Sequence, residues 1–128
     1  MLKLELKPDF TDARGTITDL LNDVPISSVN VVTSLKGAIR GNKYHRRADK
    51  YIYLINGTME WLYREGENEE VSRTTFVTGD FFLVPSGEHH AMRFLEDTVI
   101  IQFTTESRAG TGYEDDTVRL EHPLIISD

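Results

Sequence analysis

The chain has no cysteine, no apolar run approaching the roughly 20 residues of a membrane span, and fewer cations than anions. The first absence removes disulfides, thiolate nucleophiles and zinc–thiolate sites together, and it fits a reducing compartment. The second leaves no segment to cross a membrane as a helix. At the N-terminus, Met1-Leu-Lys-Leu-Glu-Leu alternates apolar and charged residues and lacks the continuous apolar core of a signal peptide, so a cytoplasmic location is expected. A net charge of −7 argues against general nucleic-acid binding, which depends on neutralising phosphates. Helical periodicity is also scarce, with no segment of useful length repeating every 3.6 residues.

What is present is the composition of an ordinary globular protein, 39% hydrophobic and 27% charged over 128 residues. That length suits one domain, 1–128, burying about two-thirds of its unfolded surface. Leu2, Leu4 and Leu6 alternate with Lys3, Glu5 and Lys7, the period of a half-buried strand, and such an N-terminal strand is often lent to a neighbouring subunit. Further strands are expected over 16–20, 28–33, 38–45, 71–77, 81–84, 89–94, 98–105 and 117–120. Tyr51 to Ile55, Asn56-Gly57 and Thr58 to Arg64 read as a hairpin on a type I′ turn. The polar stretch 106–116 reads as a surface loop. Short strands with turn signals every few residues predict an all-β antiparallel sandwich or barrel, with a double-sheet jelly roll preferred because inward side chains from several strands then converge on one internal pocket.

Two stretches carry more than a fold. Gly37, Lys43-Tyr44-His45, Lys50 and Gly57 space out a motif over 37–57; Gly79, Pro85-Ser86-Gly87, His90 and Phe94 space out a second over 79–94. The glycines and the proline sit where turns need special backbone angles. In this spacing the chain resembles the cupins, and the resemblance implies a double-stranded β-helix, the cupin jelly-roll barrel. In metal-dependent cupins two histidines and a glutamate of the first motif and a histidine of the second hold a divalent ion. Here His45 and His90 stand in that frame, but Lys43 replaces the first histidine, Lys50 the glutamate and Phe94 an asparagine. Asp49 and His89 are each one residue out of register, which on a regular strand turns a side chain to the opposite face. No metal and no other cofactor is therefore expected.

A basic cluster stands in their place. Lys36, Arg40, Lys43, Arg46, Arg47 and Lys50 are six of the fourteen Lys and Arg, against one acid, Asp49, in the same span. Arg46 and Arg47 fit a solvated face, salt-bridged to the Gly66–Glu70 turn or to Glu114–Asp116. Lys43 shares a strand face with His45, and a buried lysine without a partner is costly, so it should meet a carboxylate, a phosphate or an acidic side chain such as Glu60.

The stretch Phe10 to Gly15, then Val24-Pro25-Ile26, then Arg40-Gly-Asn-Lys-Tyr-His45 resembles the layout of cupins acting on dTDP-linked 4-keto sugars, the 3,4-ketoisomerases and 3,5-epimerases. That resemblance implies a metal-independent isomerase or epimerase, with His45 as base and with Tyr44, Tyr51 or Tyr53 supplying the acid, Tyr53 foremost. Arg40, Lys43 and Lys50 would hold anionic groups, with His90 and Trp61 also facing the ligand. An imidazole with an ordinary pKa near 6.5 suits such proton transfer. Trp61 also fits a plain core role. The alternatives are a non-catalytic or regulatory cupin binding a small anionic or sugar-like ligand, and a metal-dependent cupin with a reduced ligand set. A homodimer is expected from the Leu2-Leu4-Leu6 strand and from the family's habit.

Overall fold

The computed structural model of the protein describes residues 1–126; residues 127 and 128, the end of the expected domain, lie outside the described residues. Strands β1 (Leu2–Leu4), β2 (Phe10–Asp12), β3 (Gly15–Ile17), β4 (Ser28–Ser34), β5 (Ile39–His45) and β6 (Lys50–Asn56) come first. They are followed by β7 (Thr58–Arg64), β8 (Ser72–Val77), β9 (Phe81–Val84), β10 (His89–Phe94) and β11 (Thr98–Thr104). A single helical turn, α1 (Gly112–Asp116), precedes β12 (Thr117–Arg119). No helix among the described residues is long and apolar enough to cross a membrane.

The strands form two five-stranded antiparallel sheets, ordered β1-β9-β6-β11-β4 and β12-β5-β10-β7-β8, with β2 and β3 as a separate ribbon. From β4 to β12 the chain changes sheet at every connection except β7 to β8, which is the crossing pattern of a jelly roll. Alternation decides what lies between the sheets. In β6, Lys50, Ile52 and Leu54 are buried while Tyr51 and Tyr53 are only partly so. The core takes such inward residues from both sheets, and Phe76 of β8 stacks on Phe82 of β9 with ring centroids 3.8 Å apart.

Asn56-Gly57 is not the hairpin turn that the sequence suggests. β6 pairs with β9 and β11 while β7 pairs with β8 and β10, so the dipeptide is a corner between sheets. Gly57 is required there by space as well as by its φ of 128°: a Cβ would lie 2.8 Å from the Cα of Thr98. The expected N-terminal strand forms, shortened, and pairs with β9 of its own chain, Leu2 opposite Leu83.

One irregularity sets the geometry of the pocket. Where β10 pairs with β5, His90 faces Lys43 and Met92 faces Arg40, so three residues on β10 span four on β5. The extra residue is a bulge at Gly41 and Asn42, both with positive φ, 91° and 56°. Gly41 lies against the backbone of Ala91 and His90, where a Cβ would come within 3.0 Å. Asn42 uses its unusual backbone to aim its amide at the C-terminal tail, accepting from the N–H of Leu124 at 2.8 Å and donating to the carbonyl of Ile125 at 2.9 Å.

Candidate functional site

A cavity of about 130 Å³ opens between the sheets. Its apolar wall includes Ile52, Trp61, Met92 and Ile100, and its polar lining includes Arg40, Lys43, Lys50 and Arg108 with the Tyr113 hydroxyl. Among the described residues, no aspartate or glutamate lines it. Arg40 and Lys43 differ by an odd number of positions and would occupy opposite faces of a regular strand; the bulge at Gly41 and Asn42 brings both to the cavity.

Each cation is held differently. Arg40 is tied to β4, donating from Nε to Ser34 Oγ at 2.8 Å and from a terminal nitrogen to the Thr33 carbonyl at 3.1 Å. The Lys43 ammonium donates to the hydroxyl of Tyr113, and the Arg108 guanidinium sits 4.1 Å from the centre of the same ring. Lys50 is 4% exposed, and its pKa is pushed down to about 7 by burial and by the neighbouring Lys43 and Arg108, with Asp116 opposing. Burial pushes the Tyr113 hydroxyl up, but the bonded Lys43 and the nearby Arg108 outweigh this and bring it below its usual value.

His45 ends β5 and borders a second, smaller cavity of about 10 Å³ that shares Lys50, Arg108 and Tyr113 with the first. Thr117 donates its hydroxyl proton to the Tyr113 carbonyl at 2.5 Å, so its oxygen is left to accept from His45 Nδ1 at 3.4 Å. Asp116 Oδ2 lies 3.9 Å from the same nitrogen. Both neighbours favour the proton on Nδ1, which leaves Nε2 with its lone pair, buried and without a hydrogen-bond partner among the described residues. Burial, then Lys50, Lys43 and Arg108, push the His45 pKa down to about 3. Burial is also the chief cause that pushes the His90 pKa well below its ordinary value, and its Nδ1 meets the Glu88 carbonyl at 3.1 Å. Trp61 stacks flat on the His90 ring, centroids 5.1 Å apart and planes 5° from parallel, and is fully buried.

The family model described as Cupin matches residues 16–117. The chain belongs to the cupins. Solved structures similar to this cupin include dTDP-4-dehydrorhamnose 3,5-epimerase from Bacillus anthracis, with TDP and PPi bound, at 18% identity over 98% of this chain and 85% of that one, with a TM-score of 0.74. The 3,5-epimerase from Sulfolobus tokodaii matches at 20% identity over 98% and 83% of the two chains, with a TM-score of 0.70. CapF, the capsular polysaccharide assembling protein of Staphylococcus aureus, matches at 22% identity over 93% of this chain, with a TM-score of 0.67, and this cupin spans only 33% of its length. At these identities the likeness is one of fold. No curated protein sequence matches the chain.

The divalent ion of metal-dependent cupins does not fit these residues. His45 and His90 are the only motif ligands retained, their ring centroids 6.0 Å apart, and two lysines occupy other ligand positions. A protonated lysine about 4 Å from a 2+ ion is repelled by several kcal/mol even at an effective dielectric of about 20. The out-of-register residues point away. Asp49 Oδ1 accepts from the backbone of Ser86 at 2.9 Å, and His89 stacks on Tyr44 at 4.8 Å. Among the described residues, no group of three His, Asp or Glu side chains could hold an ion.

The structure gathers Arg40, Lys43, Lys50, His90 and Trp61 around the larger cavity and sets His45 beside it. Tyr53 is elsewhere. It lies on the outer face of β6 against Phe81, at a centroid distance of 6.4 Å, and Tyr51 and Tyr44 also face outward. Glu60 is not the partner of Lys43; it pairs with Arg73 at 3.8 Å. Arg47 does pair with Asp116, at 3.8 Å, within the acidic segment foreseen. The residues missed are Tyr113, Arg108 and Asp116, all in or at the end of the stretch read as a surface loop. A tyrosine between Gly112 and Glu114 in an otherwise polar segment was the available signal.

Proposed function

We propose that this cupin binds a small anionic or sugar-like ligand in its barrel and moves a proton on it with His45 as base, as a metal-independent sugar isomerase or epimerase. The observation that carries the reading is the set of four basic residues, Arg40, Lys43, Lys50 and Arg108, lining a cavity to which no described residue contributes a carboxylate. Such a cavity lowers its own electrostatic cost by admitting an anion. At about 130 Å³ it suits one sugar ring or a molecule of similar size, well below the roughly 300 Å³ at which larger ligand pockets begin. A nucleotide diphosphate carried by that sugar would lie over the mouth.

The base and acid follow from the hydrogen bonds. Nε2 of His45 offers a lone pair, and Tyr113, beside the same lining cations, replaces Tyr53 as the candidate acid. The field that depresses His45 comes partly from Lys50, Lys43 and Arg108, so an anion among them raises its basicity when the ligand arrives. Likeness in fold to enzymes described as dTDP-4-dehydrorhamnose 3,5-epimerases, and to a Streptomyces bikiniensis 3'-monoepimerase solved with dTDP-quinovose, supports the nucleotide-sugar class. Incubation with a dTDP-4-keto sugar in deuterated buffer tests it: exchange next to the ketone is expected, and binding without exchange would remove the catalytic part.

A second reading, a non-catalytic binder, is favoured by one observation. His45 borders only the smaller cavity, which has room for about a single water. The same exchange experiment separates the two readings. The exposed Val29 and Val31 on edge strand β4 support a homodimer, which sedimentation measures directly.

A further inference from the structure

We propose that Lys50 captures small carbonyl compounds covalently, its Nζ condensing with an aldehyde or ketone that also carries a carboxylate or phosphate, to form an imine inside the barrel cavity. Lys50 opens β6 on the inward face, and its side chain lines both cavities, so a ligand in the larger one is in contact with it. The two lysines of the site are not equivalent. Lys43 donates to Tyr113, whereas Lys50 has no hydrogen-bond acceptor among the described residues. The carboxylate that acts on Lys50, Asp116, is already engaged by the backbone N–H groups of Arg47 and Ala48.

An amine enclosed this way, with Lys43 and Arg108 beside it, carries a neutral, nucleophilic fraction near pH 7 that an exposed lysine lacks. The charged and titratable groups that share the two cavities with it or act on it are Lys43, Arg108, Asp116, Glu106, His45, His90 and Tyr113, and Glu106 also lies 3.9 Å from Arg47. Of these, Lys43 and Arg108 supply the charge to hold a carboxylate or phosphate while the carbonyl carbon meets Nζ. The lone pair of Nζ adds to that carbon and the carbonyl oxygen takes up a proton. The carbinolamine then expels water as the C=N bond forms. Amine and carbonyl give imine and water, and no oxidant or reductant is consumed. Capture needs Lys50 and the cavity alone, so it stands or falls separately from proton transfer by His45.

The test is trapping on the full chain. The protein is incubated with pyruvate and cyanoborohydride near neutral pH, digested, and its lysines mapped by mass. The expected result is a reduced pyruvyl adduct concentrated on the peptide carrying Lys50, lost in Lys50→Met and Lys50→Arg, retained in Tyr53→Phe on the outer face of β6, and suppressed by added inorganic phosphate. Labelling spread over exposed lysines such as Lys3, Lys7 and Lys36 as much as over Lys50, or absent from Lys50, would overturn the proposal. Mapping on the unmodified chain gives this answer even if the Lys50 variants fail to fold.

Discussion

The carboxylate of Asp116 lies 3.9 Å from Nδ1 of His45 while accepting the backbone N–H groups of Arg47 and Ala48 at 2.8 and 3.1 Å. One side chain thus closes the loop after β5, steadies the imidazole at its end, and ties the C-terminal segment to both. Asp116→Asn keeps one acceptor and turns the other into a donor facing a donor. The variant should lose about 1–3 kcal/mol of stability, the cost of a buried unsatisfied N–H, in chemical denaturation. Deuterium exchange into the sugar should fall with it, because the His45 tautomer is no longer favoured.

Tyr113→Phe removes the hydroxyl that accepts from Lys43 while leaving the ring under Arg108. Exchange should drop by about 10²-fold or more if Tyr113 is the acid, whereas anion affinity, measured by calorimetry, should change little. A matching fall in affinity would make the tyrosine a binding residue instead.

Stability should depend on pH in two windows. His45 stands at about 3 in the folded chain against an ordinary 6.5, so the unfolded chain binds the extra proton between those values and stability rises with pH from 3 to 6.5. Lys50 stands at about 7 against 10.5, and the same reasoning makes stability rise again from 7 to 10.5. Lys50→Met should erase the upper rise and stabilise the protein at neutral pH, by an amount on the order of a few kcal/mol. Phosphate should raise the melting temperature most in the acid window and be bound with uptake of protons, detectable as a heat of binding that varies with the buffer.

Gly57→Ala places a Cβ 2.8 Å from the Cα of Thr98 and forces a φ of 128° on a residue that avoids it. A loss of about 1–3 kcal/mol is expected from the backbone alone. Gly79→Ala, where φ is 92° but no atom lies within 4 Å of a Cβ, should cost less. Thermal melts of the pair separate strain from crowding.

The strands, the glycine corners and the inward face shared by Lys43 and His45 were legible because each depends on local alternation or on a single residue's backbone freedom. Tyr53 could have been excluded by that alternation: if Lys50 points inward, Tyr51 and Tyr53 cannot. Asn56-Gly57 misled because the dipeptide reports a turn and says nothing about which strands pair on either side. The bulge at Gly41 and Asn42 was hidden, since only the register against β10 exposes it. Tyr113, Arg108 and Asp116 were missed because 106–116 has no periodicity, and their roles come from folding back over residues about 70 positions earlier.

The two sheets supply a rigid, greasy cup with fixed ammonium groups, whereas Arg108, Tyr113 and Asp116 all arrive on one short strap between β11 and β12. Because Asp116 at its end also fastens the loop after β5, the strap is part of the fold as well as of the cavity wall. Under the proposed function, exchanging Arg108 and Tyr113 while keeping Asp116 should change the preferred molecule with little change to the barrel.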